Sequence, residues 1–144
     1  MTEPVTKILE QKSEPLETVS PRASISEAIA RMNEKNIGSV LVMDGERMVG
    51  IFTERDVLTR VVPRGLDPAK MPVTEVMTQR PITIGPNTTV EEAMMVVSDT
   101  RRRHLPVIDG GRVIGMISIG DLNRWVVRDQ KRTIDDLIDY VHRS

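Results

Sequence analysis

The chain has 144 residues, with 20 lysines and arginines against 21 aspartates and glutamates, two histidines and no cysteine. That length suits one domain of ordinary size that buries roughly 70% of the surface its unfolded form exposes, and the balanced charge, with no basic stripe, argues against electrostatic capture of nucleic acid. The lack of thiols excludes disulfides, thiolate nucleophiles and cysteine-based zinc sites, while Phe52, Trp125 and Tyr140, the only aromatics, make no base-stacking platform.

The opening MTEPVTKILEQ has no apolar h-region, and the longest apolar runs, SVLVM from Ser39 and AMMVV from Ala93, fall far short of the ~20 residues of a membrane span. A soluble, cytoplasmic protein with no membrane contact is expected. The segment VTKIL at Val5 recurs as VTEVM at Val73. After TVSP comes a helix signal: Ile25, Ala28, Ile29 and Met32 keep the i, i+3, i+4, i+7 period, with Ser24 as N-cap and Glu27 three residues on. SVLVM and MVGIF then flank the Asp-Gly turn of DGER, which reads as a hairpin. The heptapeptide GIFTERD, Gly50 to Asp56, ends that hairpin and opens a second helix through DVLTRVV. Three prolines and a glycine in PRGLDPAKMP make a linker.

Everything from Thr18 then repeats, 65 positions on and without a gap, from Thr83. Thr89 caps a helix marked by Val90, Ala93, Met94 and Val97; LPVI and VIGMI flank DGGR; GMISIGD, Gly115 to Asp121, opens the helix DLNRWVV. Two copies, and only two, argue for a paired module with internal pseudo-twofold symmetry. The fold class is therefore mixed α/β, each copy reading strand, helix, strand, strand, helix. The expected limits are residues 1–64 for an N-terminal segment and the first repeat, 65–72 for the linker, 73–128 for the second repeat and 129–144 for a C-terminal amphipathic helix carrying Ile134, Leu137, Ile138 and Val141 on one face. Met94, Met95 and Met116 read as adaptable core filling.

The T/S-x-x-D ending of each heptapeptide has two readings. It is a capping box, with Thr53 or Ser118 as N-cap and Asp56 or Asp121 three residues later. It is also a candidate ligand site: a helix start offers unpaired N–H groups to an anion, and a carboxylate one turn on accepts from both hydroxyls of a ribose. Gly50 and Gly115 would let a ligand approach the backbone closely. The run RRRH, Arg101 to His104, reads as a solvated loop at Arg101, whereas Arg103 and His104 directly precede a strand, where a guanidinium takes phosphate oxygens bidentately. Two histidines remote in sequence give no metal-ligand set, so no metal is expected.

The doubled unit, with NIGSVLVMD and RRHLPVID each followed by an Asp-Gly turn and then G-h-h-[ST]-x-x-D, resembles a tandem pair of cystathionine β-synthase (CBS) domains, a stand-alone Bateman module, over about Val5 to Val127. The resemblance implies two three-stranded sheets packed around the pseudo-twofold with helices outside, and two clefts for adenosyl ligands: AMP, ADP, ATP or NAD(H), with S-adenosylmethionine ranked behind them. Asp56 and Asp121 would hold ribose. Thr53 and Ser118 would contact ribose or phosphate, with Arg55 reaching phosphate where its counterpart Gly120 offers only backbone. Gly38 and Ser39, and their counterparts Arg103 and His104, would edge the adenine or phosphate pocket. A homodimer is implied too, through the Met32 to Glu27 side of the first helix and the Ile134 to Val141 stripe.

The expected function is a nonenzymatic regulatory module, without a catalytic cofactor, that senses energy or redox state for an unknown partner. The alternatives are a ligand-free dimerisation adaptor and a nucleotide-acting enzyme with Asp56 or Asp121 as base. No activated nucleophile supports the enzyme.

Overall fold

The computed structural model describes residues 1–12 and 15–143, the last of these by its backbone only. In chain order the elements are α1 (Thr6–Gln11), β1 (Thr18–Val19), α2 (Ile25–Lys35), β2 (Ser39–Asp44), β3 (Arg47–Thr53), α3 (Glu54–Asp56), β4 (Thr78–Gln79), α4 (Val90–Thr100), β5 (His104–Asp109), β6 (Arg112–Ser118) and α5 (Ile119–Arg143). The fold is mixed α/β with two small sheets, one ordered β1-β2-β3-β4 and the other β5-β6. The three-stranded pair implied by the resemblance is thus four strands in one sheet and two in the other. In the smaller sheet the third strand is reduced to one parallel bridge, Ile84 to Val107, at the register where Val19 meets Val42 in the larger.

Two compact units emerge, and they do not follow the chain. One is Pro15–Ile82; the other joins Met1–Glu14 to Thr83–Ser144. The repeat limits read from sequence run continuously, whereas each unit takes its last piece from the segment that precedes the other repeat.

Within the Pro15–Ile82 unit, Ser24 Oγ accepts from Glu27 N at 3.1 Å and starts α2, and α2 ends at Asn36 with φ of 53°. Asparagine tolerates that left-handed C-cap. The buried stripe Ile25, Ala28 and Met32 packs with Val40, Val42, Phe52, Val73 and Val76. This corrects the expectation that the Met32 to Glu27 side is a dimer surface: its apolar residues are core. β2 and β3 pair antiparallel from Ser39–Thr53 to Asp44–Arg47, with a bulge after Val42. After α3, residues Val57–Val61 widen to a π-helical turn, and Pro63 with Gly65 then stops the helix.

The other unit repeats this plan. Thr89 caps α4 through Glu92 N at 3.1 Å, β5 and β6 keep the same register and the same bulge, and Gly110 and Gly111 both adopt positive φ in the hairpin turn, as a tight two-residue turn requires. Its core holds Val5, Ile8, Val90, Ala93, Val97, Leu105, Val107, Ile117 and Leu122. Of the methionines read as filling, Met94 packs at the edge of this core, but Met95 is exposed. The expected separate C-terminal helix is the second half of α5, which runs unbroken for 25 residues, because VVRDQKRT contains no proline or glycine to end it. Ile134, Leu137, Ile138 and Val141 on that half are exposed. Among the described residues no helix is long and apolar enough to cross a membrane.

Candidate functional site

Both heptapeptides fold into complete capping boxes. In the first, Thr53 Oγ1 accepts from Asp56 N at 3.3 Å while Asp56 Oδ2 accepts from Thr53 N at 2.9 Å and from Thr53 Oγ1 at 3.2 Å. In the second, Ser118 Oγ accepts from Asp121 N at 3.1 Å and Asp121 Oδ2 from Ser118 N at 2.9 Å. Extended β3 and β6 deliver the hydroxyl residue in β conformation, which is what an N-cap needs, so the strand-to-helix switch is encoded locally.

The loop before the preceding strand is tied to each helix start. Glu54 N donates to Gly38 O at 3.0 Å, and Ile119 N donates to Arg103 O at 2.8 Å, at equivalent positions. Strand register sets Ser39 opposite Thr53 and His104 opposite Ser118. The residues named from sequence therefore converge as two sets, Gly38, Ser39, Thr53 and Asp56 in one unit, Arg103, His104, Ser118 and Asp121 in the other. Ser39, Asp56 and Asp121 are the buried polar residues of the described chain. Arg55 and Arg103 keep exposed side chains, and Gly120 is half-buried.

The two carboxylates differ in what surrounds them. Asp56 takes its cap contacts on Oδ2, and among the described residues its Oδ1 meets the Arg60 Nε at 3.6 Å, while Arg60 spends its Nη1 on the carbonyls of Val76 and Met77. Asp121 is enclosed by cations: Lys12 Nζ lies 2.9 Å from Oδ2 and Arg124 Nη2 2.7 Å from Oδ1. Burial pushes the Asp121 carboxyl up, but the Ser118 N–H and the Lys12 ammonium outweigh it and hold the group below its ordinary value. A carboxyl depressed on folding stabilises the native state above its unfolded value, and that contribution disappears as pH falls through the folded one. We expect Asp121→Asn to be less stable than the wild type at pH 7 and the gap to close on acidification below pH ~4, the unfolded value, as read by urea unfolding from pH 7 to 3. A gap independent of pH would contradict the ion-pair origin.

Sequence reasoning did not single out Lys12, Arg60 or Arg124. The two arginines carried a signal, standing i+4 from Asp56 and i+3 from Asp121; Lys12 is 109 residues from its partner and carried none. The glycines also need correction. A Cβ on Gly50 would meet Met77 Sδ at 2.6 Å and Thr78 O at 2.8 Å, and one on Gly115 would meet Leu9 Cδ2 at 2.6 Å. The chain's own segments, not a ligand, make the close approach.

The sequence model of the CBS domain matches residues 2–63 and 73–128. The chain belongs to the CBS-domain family. It is 37% identical over 123 residues to the mitochondrial CBS domain-containing protein CBSX3 of Arabidopsis thaliana, covering 82% of this chain and 60% of that relative. Among solved structures, a protein with CBS domains from Burkholderia ambifaria is 40% identical with a TM-score of 0.84, covering 88% of this chain and 96% of that one. CBSX2, solved in complex with AMP, is 25% identical with a TM-score of 0.68, covering 78% and 89%. As a CBS-domain chain, the protein carries the T/S-x-x-D pair on the two equivalent helix starts of its two repeats.

Proposed function

We propose that this CBS-domain chain is a nonenzymatic regulatory module that binds an adenosyl ligand, AMP before ATP or NAD(H), and reports energy or redox state to a partner protein. The observation that carries the reading is the doubled, buried Asp at a helix start, beside a loop and strand start of fixed register, in a family with a relative solved with AMP. Ribose hydroxyls need acceptors, and Asp56 Oδ1 has acceptor capacity beyond its 3.6 Å contact with Arg60. Asp121 is more fully engaged, so Asp56 is the readier ribose holder, with Thr53, Gly38 and Ser39 around it. A homodimer through the exposed Ile134, Leu137, Ile138 and Val141 stripe and a cytoplasmic location belong to the same reading.

The test is calorimetry of the wild type, Asp56→Ala and Asp121→Ala with AMP, ADP, ATP, NAD, NADH and S-adenosylmethionine, each variant first shown folded by circular dichroism. Asp56→Ala should weaken AMP at least tenfold, about 1.4 kcal/mol, with a smaller effect from Asp121→Ala. Prolonged incubation should leave the nucleotides unchanged. The capping boxes are complete without a ligand, so a protein that binds none of the six compounds would be a structural adaptor instead.

A further inference from the structure

Up to Asp129, α5 is held by its own unit: Arg128 donates to the Gln11 amide oxygen at 3.1 Å, and Asp129 lies 3.7 Å from the Met1 ammonium. Beyond that point residues 131–142 are exposed one after another, yet they are not uniformly polar. Val127, Ile134 and Val141 stand seven apart, Leu137 and Ile138 fill the interval between the last two, and all five are exposed. A seven-residue period keeps one apolar seam in line with a second helix along its whole length. A solvated helix of about 12–15 residues is marginal in water by itself, so covering this seam with a partner helix would stabilise it.

The charges along this half are sorted by sign. Arg128, Lys131 and Arg132 come first, with Asp129 among them; Asp135, Asp136 and Asp139 follow, ahead of His142 and Arg143. Within one helix, Lys131 and Asp135, and Arg132 and Asp136, are i, i+4 pairs in the weaker order, base before acid. Against a second copy the same order decides the orientation. A parallel pair sets basic segment beside basic and acidic beside acidic, whereas an antiparallel pair sets each basic segment beside the acidic one of the other copy and also opposes the two helix dipoles. The first repeat has no such segment, because Pro63 and Gly65 stop its second helix. Each chain therefore carries one seam, and a self-complementary pairing of two seams closes as a twofold dimer.

We propose that the second half of α5 docks on the same segment of a second copy of this chain as an antiparallel helix pair centred on Ile134. The two Ile134 side chains meet at the axis, and Val127 of each copy meets Val141 of the other. Leu137 and Ile138 lie level with Gln130 and Lys131 of the other copy, where the lysine stem offers apolar cover and its ammonium stays in water. Arg132 stands level with Asp136. The inference rests on the homodimer part of the reading above, which it deepens by fixing orientation and register, and is independent of the ligand part.

The chain has no cysteine, so single introduced thiols report the orientation without ambiguity. Analytical ultracentrifugation of the full chain should give a dimer that weakens with added salt. At low salt its dissociation constant should rise roughly tenfold in Lys131→Glu/Arg132→Glu and return to within roughly threefold of wild type when Asp135→Lys/Asp136→Lys is added. Leu137→Asp/Ile138→Asp, shown folded by circular dichroism, should be monomeric. Under mild oxidation Val127→Cys and Val141→Cys should cross-link to each other when mixed, and neither to itself. A monomeric wild type overturns the pairing together with the homodimer reading. A dimer that persists in the folded Leu137→Asp/Ile138→Asp variant overturns the stripe as the interface. A dimer lost in that variant, with each cysteine cross-linking to itself, overturns the antiparallel pairing and leaves the homodimer standing.

Discussion

Phe52→Ala is expected to destabilise the protein by about 3–5 kcal/mol, the range for emptying a phenylalanine site in a close-packed core. Phe52 is the only phenylalanine, is fully buried, and sits on β3 opposite Val40 in the antiparallel register. It packs with Ile25, Ala28, Val73 and Val76, which come from α2 and from the segment after the linker. These neighbours are fixed by helix and strand backbone, so collapse into the void is limited and the cavity penalty adds to the lost transfer energy. In a chain of this length each kcal/mol moves the melting temperature by about 2–4 °C, and the drop should be about 6–20 °C. Leu58→Ala is the control: Leu58 is 70% exposed, and its change should stay within about 0.5 kcal/mol. Urea unfolding of both variants checks the pair, and a loss below about 1.5 kcal/mol at Phe52 would show that the core relaxes to fill the site.

Gly50→Ala and Gly115→Ala are expected to diverge although the two glycines occupy the same place in the repeat. At Gly50 the new methyl meets a backbone oxygen, Thr78 O, at 2.8 Å, where β3 pairs with β4, and also the thioether of Met77. The sulfur swings aside at little cost, but the carbonyl belongs to a paired strand and moves only if the ladder opens. At Gly115 the nearest atoms the methyl meets all belong to the Leu9 side chain, its Cδ2 at 2.6 Å first, and that side chain has other rotamers. Overpacking costs typically 1–3 kcal/mol; Gly50→Ala should lie at about 2–3 kcal/mol and Gly115→Ala at about 1 kcal/mol or less, measured by thermal unfolding. Equal losses would mean that Leu9 is held as rigidly as the backbone.

The repeat, the two amphipathic helices with their Ser24 and Thr89 caps, the hairpins at Gly45 and Gly110 and both capping boxes are legible in the chain. Each depends on residues within a few positions of one another, where period, cap and turn chemistry act directly. Less legible was the contrast between VTKIL and VTEVM. The first forms α1, the second a 3-10 turn at Val73–Glu75 followed by β4. Leu9, Glu10 and Gln11 favour a helix, whereas Thr78 and Pro81 in the corresponding stretch do not. Read as a repeat, the two segments looked alike; read residue by residue, they differ.

The family, the mixed α/β plan, and the grouping of carboxylate and hydroxyl at each helix start are written in the chain, since three-residue spacing and strand register are local or follow from one hairpin. Packing in three dimensions joins Met1–Glu14 to Thr83–Ser144, closes Gly50 and Gly115 with Met77 and Leu9, and brings Lys12 to Asp121 beside Arg124. Those contacts span tens of residues of chain, and no local period or spacing encodes which distant segment fills a given groove; that choice is made by burial and charge once the elements meet.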